Sequence, residues 1–155
     1  MSTSPSSSAT PVTVPSIRGT KVRNGADRLV MVTAYDAPGA RMASEAGVDT
    51  LQVTVEDMAH HTAAVARAKP RPLIVGDLPW LSYHVSVEDT VRNAAILIRA
   101  GAEAVKLEGG TKRIPMVEAL VDAEIPVMGH IGLTPQSVHA MGGFKVQGRS
   151  SDAAL

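Results

Sequence analysis

An α/β fold built on a parallel sheet is what this sequence predicts. Three observations carry the prediction: short apolar runs at near-regular spacing, helical patterns between them, and polar residues gathered where the runs end. The runs are "RLVMVTAY" (28–35), "PLIVGDLP" (72–79), "EAVKLEGG" (103–110) and "IPVMGHIGL" (125–133). Each is short, apolar and closed by turn or polar residues, as expected of a strand buried on both faces. Helical patterns fill the intervals: 37–47, ending at Gly47; 55–68, with Thr54 as N-cap and Asp57 three residues on; 87–100, with Ser86 and Asp89 in the same relation; and 112–123. An acidic residue three past a Ser or Thr cap is a helix-start signal close to the capping box. Strand followed by helix, repeated, means right-handed βαβ units.

Strand starts fall near residues 28, 49, 72, 103 and 125, so five units are visible in 155 residues. A chain of this length, 45% hydrophobic, supports one globular core. Length favours an open doubly wound sheet, because an eight-unit barrel takes about 250 residues. The placement of polar residues favours the barrel. Side chains alternate faces along a strand, so Lys106 and Glu108 share one face while Val105 and Leu107 take the other. By the same alternation Asp77 follows Leu73 and Val75, His130 follows Met128, and Tyr35 follows Met31 and Thr33. Four strands thus carry polar groups at their C-terminal ends, where parallel α/β folds keep their active sites.

Composition excludes several classes of function. Fifteen basic residues balance fifteen acidic ones, and four aromatics leave little to stack bases on, so no nucleic-acid partner is expected. The absence of cysteine removes thiolate chemistry and suits the cytoplasm. The opening "MSTSPSSSATPVTVPS" has no basic region followed by an apolar one; residues 1–16 read as a disordered Ser/Thr/Pro-rich tail ahead of one domain over 17–155. No apolar run approaches the roughly 20 residues of a membrane helix.

Each polar candidate also has a plain structural reading. Asp77 could cap a turn before Leu78-Pro79, Lys106 and Glu108 could pair with each other, and His130 could be a satisfied core histidine. His60 and His61 are adjacent on a helix and make no metal pair. "EGG" alone is a weak phosphate-loop signal. Taken together the candidates point to chemistry. Two carboxylates on neighbouring strands make a hard oxygen site suited to Mg²⁺. A lysine beside such a metal can hold a substrate carboxylate or stabilise an enolate oxygen. Metal-assisted enolisation of a 2-keto acid, followed by carbon–carbon bond formation, fits this set. Lys106 as a Schiff-base nucleophile fits less well, because Glu108 on its face would keep it charged.

The segments "VMVTAYD", "TVEDMAHHTAAVARA", "GDLPWLSY", "AVKLEGG" and "VMGHIGLTPQSVHAMGGFKVQGR" resemble, in order, consecutive motifs of the ketopantoate hydroxymethyltransferase family. The resemblance runs from about Val12 to Arg149. It implies a (β/α)₈ barrel of the phosphoenolpyruvate-mutase-like kind, a TIM barrel of which about five of eight units are present here. It also implies transfer of a hydroxymethyl group from 5,10-methylenetetrahydrofolate to 3-methyl-2-oxobutanoate, with Mg²⁺ as cofactor, in a cytoplasmic homo-oligomer. Residue by residue, Asp77 matches a metal- and substrate-binding aspartate, Lys106 a substrate-binding lysine, Glu108 a metal-associated glutamate and His130 an active-site histidine taken as catalytic.

Two family features have no counterpart. The family carries a "VGDS" motif and a loop of roughly a dozen residues after its second strand, whereas this chain runs from "GVDT" straight into "LQVTVEDM", and Asp49 sits at the wrong end of that strand to substitute. The family's general-base glutamate lies beyond the motif at which this sequence reaches Leu155. Five units without their barrel partners would expose strand edges and apolar faces, which predicts a marginal monomer. Two functional expectations follow: a hydroxymethyltransferase with weakened enolisation, or a non-catalytic remnant that binds keto acid or associates with complete subunits.

Overall fold

The computed structural model describes residues 54–138, Ala140, Met141 and Gly143, with the isolated pair Val14 and Pro15. The elements expected over 28–35, 37–47 and from 49, most of the tail over 1–16, and Tyr35 and Asp49 lie outside the described residues. So does most of the closing "GGFKVQGR".

The described part is three strands and three helices in strict alternation after a leading helix. Helix α1 spans Val55–Arg67, strand β1 Val75–Asp77, helix α2 Val87–Arg99, strand β2 Ala104–Glu108, helix α3 Ile114–Asp122 and strand β3 Val127–His130. Single 3₁₀ turns cover Thr111–Arg113, ahead of α3, and Pro135–Ser137, after β3. The strands are parallel in the order β1-β2-β3. This bears out an α/β fold on a parallel sheet.

Local chemistry explains the boundaries. Thr54 and Asp57 form a full capping box at the start of α1: the Asp57 amide donates to Thr54 Oγ1 at 3.1 Å, and the Thr54 amide donates back to Asp57 Oδ2 at 3.0 Å. At α2 only half of the box forms. Ser86 Oγ accepts from the Asp89 amide at 3.0 Å, while the Asp89 carboxylate turns outward to Arg92 at 2.6 Å. Helix α3 is shorter than its apolar pattern, since Thr111–Arg113 take up a 3₁₀ turn before Pro115 fixes the first α-helical turn. Strand β1 is shorter than its run because Pro72 and Pro79 flank it.

The helices pack side by side, α1 on α2 and α2 on α3, and each also meets its own strand. Between helices and sheet lies the core: Leu78, Tyr83, Ala94, Leu97, Ala102, Val105, Leu107 and Leu120, all buried. Val105 and Leu107 therefore point into the core, and the opposite face of β2 is left to Lys106 and Glu108. Gly76 lets β1 approach α2 closely. A Cβ there would lie 3.1 Å from Leu97 Cδ1 and 3.2 Å from the Ala102 methyl.

Leu97 sits at the centre of this packing, so Leu97→Ala is expected to cost about 2–5 kcal/mol. Gly76→Ala is unfavourable beside an intact Leu97, and Leu97→Ala relieves only the Cδ1 contact, since Leu97 Cβ and Ala102 Cβ each stay 3.2 Å from the added methyl; the double variant should therefore lose less than the sum of the two single losses. Urea unfolding of the two single variants and the double variant measures this coupling. Simple additivity would contradict the packing described.

Candidate active site

Register sets the geometry of the polar face. Asp77 on β1 stands opposite Lys106 on β2, and Glu108 on β2 stands opposite His130 on β3. Neighbouring strands lie about 4.8 Å apart, whereas residues two apart along one strand are separated by roughly 6.6 Å. Lateral partners therefore meet first. Lys106 Nζ donates to Asp77 Oδ2 in an ion pair, and His130 Nδ1 lies 3.0 Å from Glu108 Oε1. The plain structural reading, a Lys106–Glu108 pair along β2, gives way to two pairs across the sheet. Asp77 is not a turn cap, and His130, with its side chain 36% exposed, is not a core histidine.

The two carboxylates have different surroundings. Glu108 is buried and fully engaged: Oε1 meets His130, and Oε2 accepts the Gln136 amide at 3.0 Å. A carboxylate oxygen only accepts, so in the neutral imidazole this contact puts the proton on His130 Nδ1 and leaves Nε2 as the acceptor nitrogen. Asp77 uses one oxygen on Lys106, while its Oδ1 is buried and has no hydrogen-bond partner among the described residues. Burial pushes the Asp77 carboxyl above its ordinary value, outweighing the opposing pull of the Lys106 hydrogen bond and charge. The geometry alone would suggest a depressed carboxyl. Desolvation outweighs it, with the nearby Glu108 charge pushing in the same direction.

The loop after β1 closes the site from one side. Leu78 N donates to Lys106 O at 2.8 Å, continuing the ladder one residue past the strand. Ser82 folds back on Pro79, its hydroxyl donating to the Pro79 carbonyl at 2.6 Å, and Asn93 of α2 holds the Ser82 carbonyl at 2.7 Å. Leu81 adopts a left-handed backbone with φ +68°, an unfavourable conformation for leucine. Its amide donates to His84 Nδ1 at 3.2 Å, and burial together with the Arg113 charge holds His84 below its ordinary value. These constraints place Tyr83, fully buried, beneath Glu108. The Tyr83 hydroxyl accepts from the Glu108 amide at 3.2 Å and donates to Gln136 Oε1 at 2.7 Å.

Asp77, Lys106, Glu108 and His130 are thus brought together at the C-terminal ends of three adjacent strands. Tyr83 and Gln136 were not singled out from the sequence. Tyr83 lies in the turn after β1 and Gln136 in the 3₁₀ turn after β3, where strand alternation assigns no face.

For a divalent cation the residues fit at one point. Asp77 Oδ1 is the free oxygen, and Mg²⁺ characteristically takes one or two carboxylates and completes its shell with water and substrate. Among the described residues no group of three or more His, Cys, Asp or Glu side chains surrounds a common point.

A ketopantoate hydroxymethyltransferase family model matches residues 11–155. The chain belongs to that family. It is 54% identical to 3-methyl-2-oxobutanoate hydroxymethyltransferase 2 of Bradyrhizobium diazoefficiens, over 93% of this chain and 54% of the relative. It is also 54% identical to the enzyme of that name from Ignicoccus hospitalis, over 86% and 57%, and 48% identical to that from Syntrophomonas wolfei, over 92% and 58%. The chain therefore spans about half the length of the curated relatives it matches. The Bradyrhizobium match covers 160 positions but takes in 93% of 155 residues, about 144, so about 16 positions have no residue of this chain. Within the described residues the chain shows two complete βα units, β1–α2 and β2–α3, followed by β3.

Burial pushes the Tyr83 hydroxyl up to about 12 from an ordinary value of 10.0. Because the folded value is the higher one, the associated stability is complete below pH 10 and is lost as pH rises towards 12. The loss is on the order of 2–3 kcal/mol. Tyr83→Phe should abolish this component, so the stability gap between wild type and variant narrows over that range. A gap independent of pH would contradict the buried, hydrogen-bonded phenol.

Proposed function

We propose that this chain carries a keto-acid site of the hydroxymethyltransferase type. In this reading it binds 3-methyl-2-oxobutanoate, enolises it and adds the enolate to the one-carbon unit of 5,10-methylenetetrahydrofolate. Water completes the balance, giving 2-dehydropantoate and tetrahydrofolate for pantothenate synthesis. The supporting observation is the pair of lateral contacts, Asp77–Lys106 and Glu108–His130, side by side on the polar face of one sheet.

Each residue has a role in this reading. Lys106 is already cationic in its pair with Asp77 and faces the substrate side, where its Nζ stabilises negative charge on the keto-acid oxygens. Asp77 orients that ammonium through Oδ2 and would hold Mg²⁺ through Oδ1. When bound, Mg²⁺ supplies Lewis-acid polarisation of the keto oxygen. His130 Nε2 takes the proton from C3 of the keto acid, and the buried Glu108 carboxylate stabilises the resulting imidazolium through Nδ1. The same reading places the protein in the cytoplasm as an assembly of like subunits. Among the described residues no helix is long and apolar enough to cross a membrane.

A second reading, keto-acid binding without turnover, draws on one observation: of the two site carboxylates only Asp77 offers a free oxygen to a cation. Deuterium exchange at C3 of 3-methyl-2-oxobutanoate in D₂O, followed by NMR with Mg²⁺ or with EDTA, separates the two. Exchange dependent on Mg²⁺ is expected, falling about 100-fold or more in Lys106→Met and in His130→Ala. Exchange at the buffer rate, with the keto acid still perturbing the protein's spectrum, would leave binding alone.

Thermal unfolding gives an independent check on the cation. A hundredfold excess of Mg²⁺ over its dissociation constant is worth about 2.7 kcal/mol. The melting midpoint should therefore rise by several degrees in wild type and remain unchanged in Asp77→Asn. An equal rise in both would place the cation elsewhere.

A further inference from the structure

We infer that Tyr83 and Gln136 are positioning residues of this site: a closed ring of hydrogen bonds through them fixes the Glu108 carboxylate and, through it, the His130 imidazole. The ring starts and ends on Glu108. The Glu108 amide donates to the Tyr83 hydroxyl at 3.2 Å, the hydroxyl donates to Gln136 Oε1 at 2.7 Å, and the Gln136 amide donates to Glu108 Oε2 at 3.0 Å. A fourth bond, from Gln136 Nε2 to the Leu78 carbonyl at 3.0 Å, ties the ring to the end of β1. The ring therefore joins the segments that follow all three strands.

Proton direction around the ring is determined. A backbone N–H can only donate, so the Tyr83 oxygen accepts from Glu108 and its own proton goes to Gln136. At the other end a backbone carbonyl can only accept, so the Gln136 amide must present Nε2 to Leu78 and Oε1 to Tyr83. The side-chain amide has one allowed orientation, set by main-chain groups at both ends. The Tyr83 ring is held in turn, with the His84 ring centroid at 4.2 Å and the Arg113 guanidinium carbon 5.7 Å from its own centroid.

The consequence falls on His130. With Oε2 occupied by the Gln136 amide, Glu108 keeps Oε1 for Nδ1 and cannot rotate freely to release it. A fixed Oε1 holds the imidazole in the Nδ1–H form and keeps Nε2 ready to receive a proton. The catalytic meaning of this arrangement rests on the proposed enolisation; the positioning itself does not.

The test is the tautomer of His130, read by long-range ¹H–¹⁵N NMR of the full chain above the titration range of imidazole. Wild type is expected to show the Nδ1–H form. In Tyr83→Phe and in Gln136→Met the Nε2–H share should rise at least about fivefold while the backbone spectrum away from the site is retained. An unchanged tautomer in folded Gln136→Met overturns the proposal. Gln136 is only partly buried, so this variant decides the matter even where Tyr83→Phe does not fold. Where wild type shows Mg²⁺-dependent exchange, both variants should lower its maximal rate about tenfold with the keto-acid concentration for half-maximal rate unchanged. If wild type shows no exchange, the functional reading fails, and the tautomer still decides the positioning.

Discussion

Two carboxylates stand on the polar face of a small parallel sheet, and the register of that sheet decides which cationic group each one meets. A shift of β2 by one residue against β1 would turn Lys106 and Glu108 into the core and expose Val105 and Leu107. The core therefore protects the site: burial of Val105 and Leu107 penalises every odd shift of register, each of which would turn Lys106 and Glu108 away from the polar face where they meet Asp77 and His130. Packing on one face thus specifies chemistry on the other.

The energetic condition of the two pairs differs. Burying a carboxylate is costly unless its oxygens are hydrogen-bonded. Glu108, only 5% exposed, meets that condition at both oxygens. Asp77 meets it at one among the described residues, and burial of its carboxyl raises its pKa. A buried acceptor left without a partner costs about 1–3 kcal/mol. Such a cost is retained where function uses it, and an oxygen without a donor is an oxygen available to a cation.

Much of this was legible in the sequence, for reasons that can be traced to particular residues. The capping box at Thr54 and Asp57 and the half box at Ser86 located two helix starts, because their spacing is itself the hydrogen-bond geometry. Alternation along "VKLE" assigned Lys106 and Glu108 to one face correctly. It could not assign partners, since lateral neighbours depend on register between strands and one strand's sequence carries no information about another's offset. Tyr83 and Gln136 were hidden for a related reason. They are separated by 53 residues and joined by a single 2.7 Å bond between the turn after β1 and the 3₁₀ turn after β3, and such short turns have no period from which a facing can be read. Strand alternation and the family resemblance both pointed to the site's four strand residues, but neither pointed to the ring that holds one of them.

The site accordingly divides into two parts with different degrees of completeness. Proton handling is self-contained among the described residues: His130 has its carboxylate, the carboxylate has its amide donor, and that donor's side chain is fixed by Tyr83 and Leu78. In the proposed reading cation binding is not, because among the described residues Asp77 offers one oxygen, and the second aspartate that the family resemblance implies has no counterpart in the sequence. Water can fill coordination positions that protein does not, since Mg²⁺ commonly keeps several waters. Water supplies no negative charge, however, so the loss of a second carboxylate weakens attraction for the ion more than it alters the geometry around it. The gap in the sequence should therefore affect cation affinity first and leave the order around Glu108 and His130 intact, because no bond of that ring passes through the missing segment.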